Sequence, residues 1–237
     1  MTDSRLLVVR HEASCPPGLL ADAAGDARVD LDVVAVDLGD RVPAGLDGAA
    51  GLVVLGGTMG VADAGSYPHL EATMALIRRA AAGDVPTLGI CLGGQLAAQA
   101  LGGRAYQSPR GLEYGWIRLD RTPSGRADPV LGALTDDTEV FASHHDVFDP
   151  PPGADLLALG GHSPNQAFRL GSVVGVQFHP EVDAAMVAEW YDHMPAPPRS
   201  RDEVVAGARR NAPLARRLLD AFCRLASPVS PGPTPRR

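Results

Sequence analysis

The stretch PTLGICLGGQLAAQ, residues 86–99, changes from strand to helix character at one cysteine. Residues 86–90 form a short apolar run that begins at a proline, which is typical of a buried strand. The segment that starts at Leu92 is rich in leucine, alanine and glutamine, which favour a helix. A strand followed at once by a helix predicts a βα unit of a parallel sheet.

The same alternation is found on the N-terminal side of this stretch. We predict strands at residues 5–9, 29–36 and 50–57 and a helix at residues 67–83 that ends at Gly83. Because these strands are almost continuously apolar, both faces of their sheet must be covered. The sequence therefore predicts an α/β fold with an open, mostly parallel central sheet and helices on both faces.

The middle of the chain changes character and predicts additional short antiparallel strands joined by turns. The predicted segments are residues 111–120, 136–148, 154–163 and 165–179. The run SVVGVQF within the last of them is expected to re-enter the central sheet. A helix is predicted to follow, from about Val182 to about His193.

The chain is expected to divide into three parts. A main domain covers residues 1–194, a C-terminal helical extension covers residues 195–226, and a disordered Pro- and Ser-rich tail covers residues 227–237. Pro213 is expected to break the helix of the extension or to begin a new one. The Arg-rich extension fits either a docking helix or a solvated face that closes the main domain.

Composition and charge exclude several classes of protein. The 237 residues carry a net charge of -7, and the 21 basic residues, all arginine, lack the clustering of a nucleic-acid surface. No apolar run approaches the about 20 residues that cross a bilayer, and the first residues lack the features of a signal peptide. Three cysteines are too few for a disulfide framework. We therefore expect a cytoplasmic protein that binds neither nucleic acid nor a membrane.

Cys91 has the sequence context of a nucleophile. It lies in the pattern Gly89-Ile90-Cys91-Leu92-Gly93, which has the logic of the G-x-S-x-G elbow, where glycines permit a tight strand-to-helix turn. Ligands bind at the carboxyl ends of parallel strands, and the first N–H groups of the following helix favour the reactive thiolate. The alternative is a buried structural cysteine, and the paired glycines favour the elbow.

A candidate base follows 88 residues downstream, in VGVQFHPE, residues 174–181. His179 ends an apolar strand there, and Glu181 lies two residues further on. Side chains at i and i+2 of an extended segment point the same way, so Glu181 can accept a hydrogen bond from one imidazole nitrogen. The other nitrogen then faces the thiol. This is the nucleophile–base–orienter arrangement in its Cys/His/Glu form.

A glycine turn supplies a possible oxyanion hole. LGGTMG, residues 55–60, lies at the end of the third predicted strand. A backbone N–H of this turn, together with the N–H of Leu92, can point at a developing oxyanion.

Taken together, these motifs resemble the class I, triad-type glutamine amidotransferases. The matching motifs are Gly56-Gly57, GICLGGQ at residues 89–95 and FHPE at residues 178–181. The resemblance covers residues 5–192, with the motifs in the same order, and implies a flavodoxin-like sheet. GLEYGW at residues 111–116 and SHHD at residues 143–146 resemble segments that line the glutamine pocket in the glutaminase domain of GMP synthase. One departure is GGT, with Thr58 where many members have proline.

The resemblance implies an activity and a role for each residue. Cys91 would attack the side-chain amide carbon of glutamine, His179 would carry the proton to the leaving ammonia, and Glu181 would orient the base. The N–H groups of Gly57 and Leu92 would hold the oxyanion. Water would then hydrolyse the γ-glutamyl thioester, and neither a metal nor a cofactor is needed for this half-reaction.

The resemblance also implies the substrate pocket and a partner. Gln95 would contact the substrate, and the backbone around Ser143, His144, His145 and Asp146 would bind its α-amino and α-carboxyl groups. No ATP-pyrophosphatase motif or P-loop is found, so an unknown synthase partner chain is expected to receive the ammonia.

Several alternatives remain open. The same site would suit a γ-glutamyl hydrolase or peptidase, or a non-catalytic regulator on the same fold, although a regulator has no need of the intact triad. Stress proteins and chaperones with an elbow cysteine lack the F-H-P-E element. The histidines of SHHD, with His162, could instead hold a metal. His11 and Cys15 are interpreted as incidental, and Cys223 as a packing residue.

Overall fold

The computed structural model describes residues 4–161, 163–194 and 196–227. Its strands are β1 (Arg5–Arg10), β2 (Asp30–Ala35), β3 (Gly51–Val54), β4 (Thr87–Ile90), β5 (Arg104–Gln107), β6 (Glu113–Arg118), β7 (Asp120–Arg121), β8 (Glu139–His144), β9 (Asp146–Asp149), β10 (Asp155–Leu159), β11 (Ala167–Leu170) and β12 (Val173–Val176). Its α-helices are α1 (Leu19–Ala27), α2 (Pro68–Ala82), α3 (Leu92–Ala100), α4 (Pro123–Ala127), α5 (Ala184–His193) and α6 (Arg201–Ala226).

An eight-stranded sheet in the order β2-β1-β3-β4-β12-β11-β10-β7 forms the centre of the described structure. The strands from β2 to β12 pair in parallel, and β11, β10 and β7 extend the sheet with antiparallel pairings. The pairs β5–β9 and β6–β8 form two small antiparallel sheets. The predicted α/β fold with a mostly parallel sheet and added antiparallel strands is therefore confirmed.

Each face of the sheet carries its own apolar core. Neighbouring residues of β3 point to opposite faces, so Val53 packs in one core and Val54 in the other. Residues of α1 and α6 fill the core around Val53, and residues of α2 and α3 fill the core around Val54. Because both faces are covered, the inner parallel strands β1, β3, β4 and β12 are buried and largely apolar, whereas the edge strand β2 carries the exposed Asp30 and Asp32.

Several elements differ from the sequence prediction. Helix α1, strand β5 and the short helix α4 were not predicted. The prediction of a break at Pro213 was wrong, because α6 is continuous from Arg201 to Ala226 with Pro213 inside it. An interior proline costs a helix about 3 kcal/mol. Burial of one apolar face of α6, including Leu218, Leu219 and Phe222, offsets this cost.

Helix α6 contributes to the same core as the parallel strands. Phe222 and Cys223 of α6 belong to the apolar cluster that contains Leu6 and Val8 of β1. This packing agrees with the interpretation of the Arg-rich segment as a solvated face that closes the domain. The boundary after residue 194 remains a prediction, and residues 228–237 of the predicted tail lie outside the described residues. None of the helices in the described ranges has the length and apolar character that crossing a membrane requires.

Candidate active site

Cys91 stands on a strained turn between β4 and α3. Its φ of 51° lies in the left-handed region, which costs a non-glycine residue about 1–3 kcal/mol. A Cβ on Gly89 would lie 2.4 Å from the carbonyl oxygen of Gly93, and a Cβ on Gly93 would lie 2.0 Å from the carbonyl oxygen of Val54. Because neighbouring backbone approaches both positions so closely, only glycine fits at residues 89 and 93. The structure thus has the tight turn of a nucleophile elbow.

His179 and Glu181 form a buried pair beside this turn. The imidazole Nδ1 lies 2.7 Å from Oε1 of Glu181, and the two residues are 2% and 0% exposed. The N–H of His179 donates to the carbonyl oxygen of Phe141 at 2.8 Å, which fixes the backbone of the pair against β8. The Cys91 side chain is a neighbour of the imidazole, since a Cβ on Gly56 would lie 3.0 Å from Cε1 of His179 and 3.6 Å from Cβ of Cys91. The side chains of Cys91, His179 and Glu181 thus lie next to one another in the structure.

The electrostatics of the pair favour a charged imidazole. Burial alone lowers the pKa of His179, but the Glu181 carboxylate and the Cys91 sulfur act in the opposite direction and raise the pKa above its ordinary value. A carboxylate within hydrogen-bond distance stabilises the protonated ring in a site that excludes water. The arrangement can therefore hold the proton that a nucleophilic thiol gives up.

Trp190 of α5 adds a wall that the sequence did not indicate. Its ring meets the His179 ring edge-on, with centroids 4.8 Å apart and planes at 75°. The indole Nε1–H donates to the carbonyl oxygen of Ser14 at 2.7 Å. Ser14 lies in the segment between β1 and α1, which we call the first loop (residues 11–18). Trp190 thus links the base to the first loop.

The Gly56-Gly57 turn follows β3 and lies against the triad. A Cβ on Gly56 would lie 3.0 Å from Cε1 of His179, and a Cβ on Gly57 would lie 2.9 Å from Cδ2 of Leu92. Leu92 opens α3, so its N–H has no acceptor within the helix. Among the described residues, the N–H of Gly57 also has no acceptor. The two predicted oxyanion donors thus lie on adjacent backbone segments.

The residues that are predicted to bind the substrate line the same cleft, but their surroundings differ. The side-chain amide of Gln95 donates to the backbone carbonyl of Asp146 at 2.9 Å. The imidazole of His144 lies 2.9 Å from the buried carboxylate of Glu113, whereas His145 is exposed. Burial and the neighbouring Asp63 carboxylate raise the pKa of Asp146. Gln95 therefore ties helix α3 to the SHHD segment.

A cleft of about 990 Å³ connects these groups. It is lined by Cys91, His179, Gly57, Gln95, Ser143, His144, His145 and Asp146, and also by Glu12, Cys15, Tyr106, Leu112, Trp190 and Met194. Within the described ranges, no group of three or more His, Cys, Asp or Glu side chains is arranged to hold a metal. The alternative that used His162 concerns a residue outside those ranges.

The first loop is the part of the site that sequence reasoning missed. Cys15, interpreted as incidental, lines the cleft, and its sulfur lies 3.8 Å from the position of a Cβ on Gly56. Glu12 accepts hydrogen bonds from Thr58. The available signal was the position of RHE, residues 10–12, at the carboxyl end of a parallel strand. Cys223 is fully buried in the core, as a packing residue would be.

An elbow cysteine beside a buried His–Glu pair, at the carboxyl edge of an open α/β sheet, is typical of cysteine-nucleophile amidohydrolases. The family can be stated more narrowly. The chain belongs to the class I glutamine amidotransferases, because residues 18–186 match the family described as "Glutamine amidotransferase class-I".

Individual relatives agree with this assignment. The chain is 39% identical over 160 residues to one subunit of the glutamine-hydrolysing GMP synthase of Halobacterium salinarum, covering 65% of this chain and 78% of the relative. A glutamine amidotransferase of Thermotoga maritima superposes with a TM-score of 0.87 at 27% identity, over 96% of this chain and 100% of the other. One from Methylobacillus flagellatus gives 0.82 at 31% identity, over all of both chains. The chain spans only 18% to 24% of several full-length GMP synthases.

Proposed function

We propose that this class I glutamine amidotransferase hydrolyses the side-chain amide of L-glutamine through a γ-glutamyl thioester on Cys91. The observation that carries the proposal is the elbow itself. Cys91 is held at a φ of 51° beside the imidazole of His179, whose Nδ1 is 2.7 Å from Oε1 of Glu181. A strained backbone at a nucleophile persists only where the surrounding structure supports it.

In the proposed acylation, the Cys91 sulfur attacks the amide carbon of glutamine and its proton passes to His179. The carbonyl oxygen becomes an oxyanion, and the N–H groups of Gly57 and Leu92 are its donors. Loss of one such donor typically lowers kcat about 10²- to 10³-fold. The His179 imidazolium then protonates the leaving nitrogen, the C–N bond breaks, and ammonia departs.

In the proposed deacylation, a water molecule gives a proton to His179 and attacks the thioester carbon. The C–S bond breaks, the proton returns to the sulfur, and glutamate leaves. Glu181 holds the imidazole in one orientation through both halves and does not exchange a proton itself. Ser143, His144, His145 and Asp146 present backbone to the α-amino and α-carboxyl groups of the substrate, and Gln95 holds that segment in place.

The ammonia is proposed to pass to a separate synthase chain. The Halobacterium relative is itself named as one subunit of a GMP synthase, which supports this arrangement. A second candidate function is hydrolysis of larger γ-glutamyl amides. It is favoured by the size of the cleft, about 990 Å³, which lies at the upper end of the range of about 300–1,000 Å³ for drug-sized ligands. Leu112, Trp190 and Met194 provide an apolar wall for a larger leaving group.

The first experiment measures ammonia and glutamate released from L-glutamine by the purified chain. We expect steady turnover that Cys91→Ala abolishes, with an unchanged circular dichroism spectrum. Cys223→Ala is the matched control, since this buried thiol lies in the core away from the cleft, and it should retain activity.

Three other outcomes are informative. Ammonia release by Cys91→Ala at the wild-type rate would rule out the mechanism. Absence of turnover, with Cys91 still alkylated by a diazoketone analogue of glutamine, would favour a site that needs its synthase partner. Release of amines from γ-glutamyl anilides in preference to ammonia from glutamine would favour the second candidate.

A further inference from the structure

Glu12 is a carboxylate in the cleft that the proposed mechanism does not use. It lies in the first loop, two residues after the end of β1. Its Oε1 accepts the backbone N–H of Thr58 at 2.9 Å, and its Oε2 accepts the hydroxyl of Thr58 at 2.8 Å. Both carboxylate oxygens are therefore committed to the residue that directly follows Gly57.

The turn that contains Gly57 is anchored on both sides. On its N-terminal side, the N–H of Leu55 donates to the carbonyl oxygen of Val9 at 3.0 Å. Beyond Thr58, Met59 packs against the core of α2 and α3, and the N–H of Gly60 donates to the Asp63 carboxylate at 2.8 Å. Between these anchors, Gly56 and Gly57 have no side chains to pack and Thr58 is exposed, so Glu12 holds the residue next to Gly57.

The identity of residue 58 is what permits this attachment. Where the resemblance to the family leads one to expect proline, residue 58 is threonine. Proline fixes its own φ but has no N–H to donate, whereas threonine leaves φ free and supplies two donors. In this chain, two hydrogen bonds to Glu12 take the place of the proline ring.

A third contact holds the carboxylate itself. The thiol of Cys15 lies 3.6 Å from Oε1 of Glu12, within the range of a sulfur hydrogen bond. Burial raises the pKa of Cys15, and the Glu12 carboxylate raises it further. The thiol therefore keeps the proton that it donates. Cys15 and the backbone N–H of Thr58 thus contact the same carboxylate oxygen of Glu12.

We infer that Glu12 is a positioning residue, which holds the Gly56-Gly57 turn through Thr58 so that the N–H of Gly57 stays aimed at the oxyanion. This rests on the proposed function of Gly57. A shift of about 1 Å in a catalytic group can cost about 10²-fold in rate. Loss of Glu12 should therefore lower kcat and leave KM nearly unchanged.

The test compares Glu12→Ala and Glu12→Gln with the wild-type chain. We expect Glu12→Ala to lower kcat for L-glutamine about 10- to 100-fold with KM within about twofold. Glu12→Gln should remain within a few-fold of the wild type, because its amide oxygen can accept the Thr58 N–H and its NH₂ can donate to the hydroxyl oxygen. Glu71→Ala, which removes an exposed carboxylate of α2, is the control.

Two further readouts separate positioning from damage to the fold. Alkylation of Cys91 by iodoacetamide forms no oxyanion, so its rate should be unchanged in Glu12→Ala. Amide hydrogen exchange at Thr58 should be faster in Glu12→Ala than in the wild type, whether or not glutamine is turned over. This second readout tests the attachment even if the chain proves inactive on glutamine.

Two results would overturn the inference. Turnover by Glu12→Ala within twofold of the wild type, with unchanged exchange at Thr58, would show that the turn needs no attachment at Glu12. An equal loss in Glu12→Gln and Glu12→Ala would show that the negative charge matters, as it would if Glu12 bound the substrate ammonium.

Discussion

The properties of individual residues in this site depend on what surrounds them. His179 is buried with a carboxylate on one side and a sulfur on the other, and these two neighbours outweigh the effect of burial on its pKa. His11, in the first loop, has the opposite environment. Burial lowers the pKa of His11 to about 3, with a smaller contribution from His69, whose ring centroid lies 5.3 Å away. Two buried histidines at one end of the sheet thus favour different protonation states.

The effect of the Glu181 carboxylate on the pKa of His179 can be tested by a pH titration. In the wild type, the raised pKa of His179 means that the pair stabilises the fold fully below the ordinary histidine value of 6.5. This contribution is lost as the pH rises above 6.5 through the raised pKa. In Glu181→Gln, burial is no longer opposed by the carboxylate, so the pKa of His179 should fall.

The measurement is an NMR titration of the histidine Cε1–H signals in both proteins. The signals of the other histidines should titrate alike and serve as the control. An unchanged His179 curve in Glu181→Gln would contradict the assignment of the carboxylate as the cause of the raised pKa.

At the scale of elements, the first loop connects parts of the site that are distant in sequence. Its last residue, Gly18, has a φ of 52°. A Cβ on Gly18 would lie 2.3 Å from the carbonyl oxygen of Glu181, and the next residue, Leu19, donates its N–H to that same oxygen at 2.8 Å. Only glycine allows α1 to begin against the backbone of the His–Glu segment.

Gly18→Ala should therefore destabilise the protein and reduce its activity together. The left-handed backbone alone costs about 1–3 kcal/mol, and the clash displaces Glu181. Gly25→Ala is the matched control, because this glycine lies inside α1 with open space around it. It should raise the free energy of unfolding by about 0.5–1 kcal/mol. Urea unfolding monitored by circular dichroism distinguishes the two variants. Equal changes in the free energy of unfolding would contradict the special role of Gly18.

At the scale of the whole molecule, the C-terminal helix and the N-terminal strands form one core. Phe222 of α6 is 1% exposed and packs in the cluster that contains Leu6 of β1 and Val53 of β3. Arg216 of α6 forms an ion pair with Asp26 of α1, but an exposed pair of this kind contributes at most about 1 kcal/mol. The attachment of α6 is therefore mainly apolar.

Phe222→Ala should lower the free energy of unfolding by about 3–5 kcal/mol, because it leaves a cavity in the shared core. Leu225→Ala, one turn along the same helix at a residue that is 45% exposed, should change it by less than about 0.5 kcal/mol. A single unfolding transition that moves to lower urea in Phe222→Ala is expected. Two separate transitions would show that residues 195–226 unfold independently of the main domain.

The parallel sheet, the elbow and the candidate triad could be predicted from sequence because each depends on local patterns. Apolar runs define buried strands, Gly89 and Gly93 flank Cys91, and His179 and Glu181 are two residues apart, just beyond the end of β12, where their side chains meet. The position of Glu12 at the end of a parallel strand was a signal, but the contacts of Glu12, Cys15 and Trp190 could not be predicted, because they join segments distant along the chain. Trp190 is 176 residues from Ser14, whose carbonyl it contacts. Likewise, the continuity of α6 through Pro213 opposes local propensity, since the long-range burial of Phe222 and its neighbours exceeds the local cost of one proline.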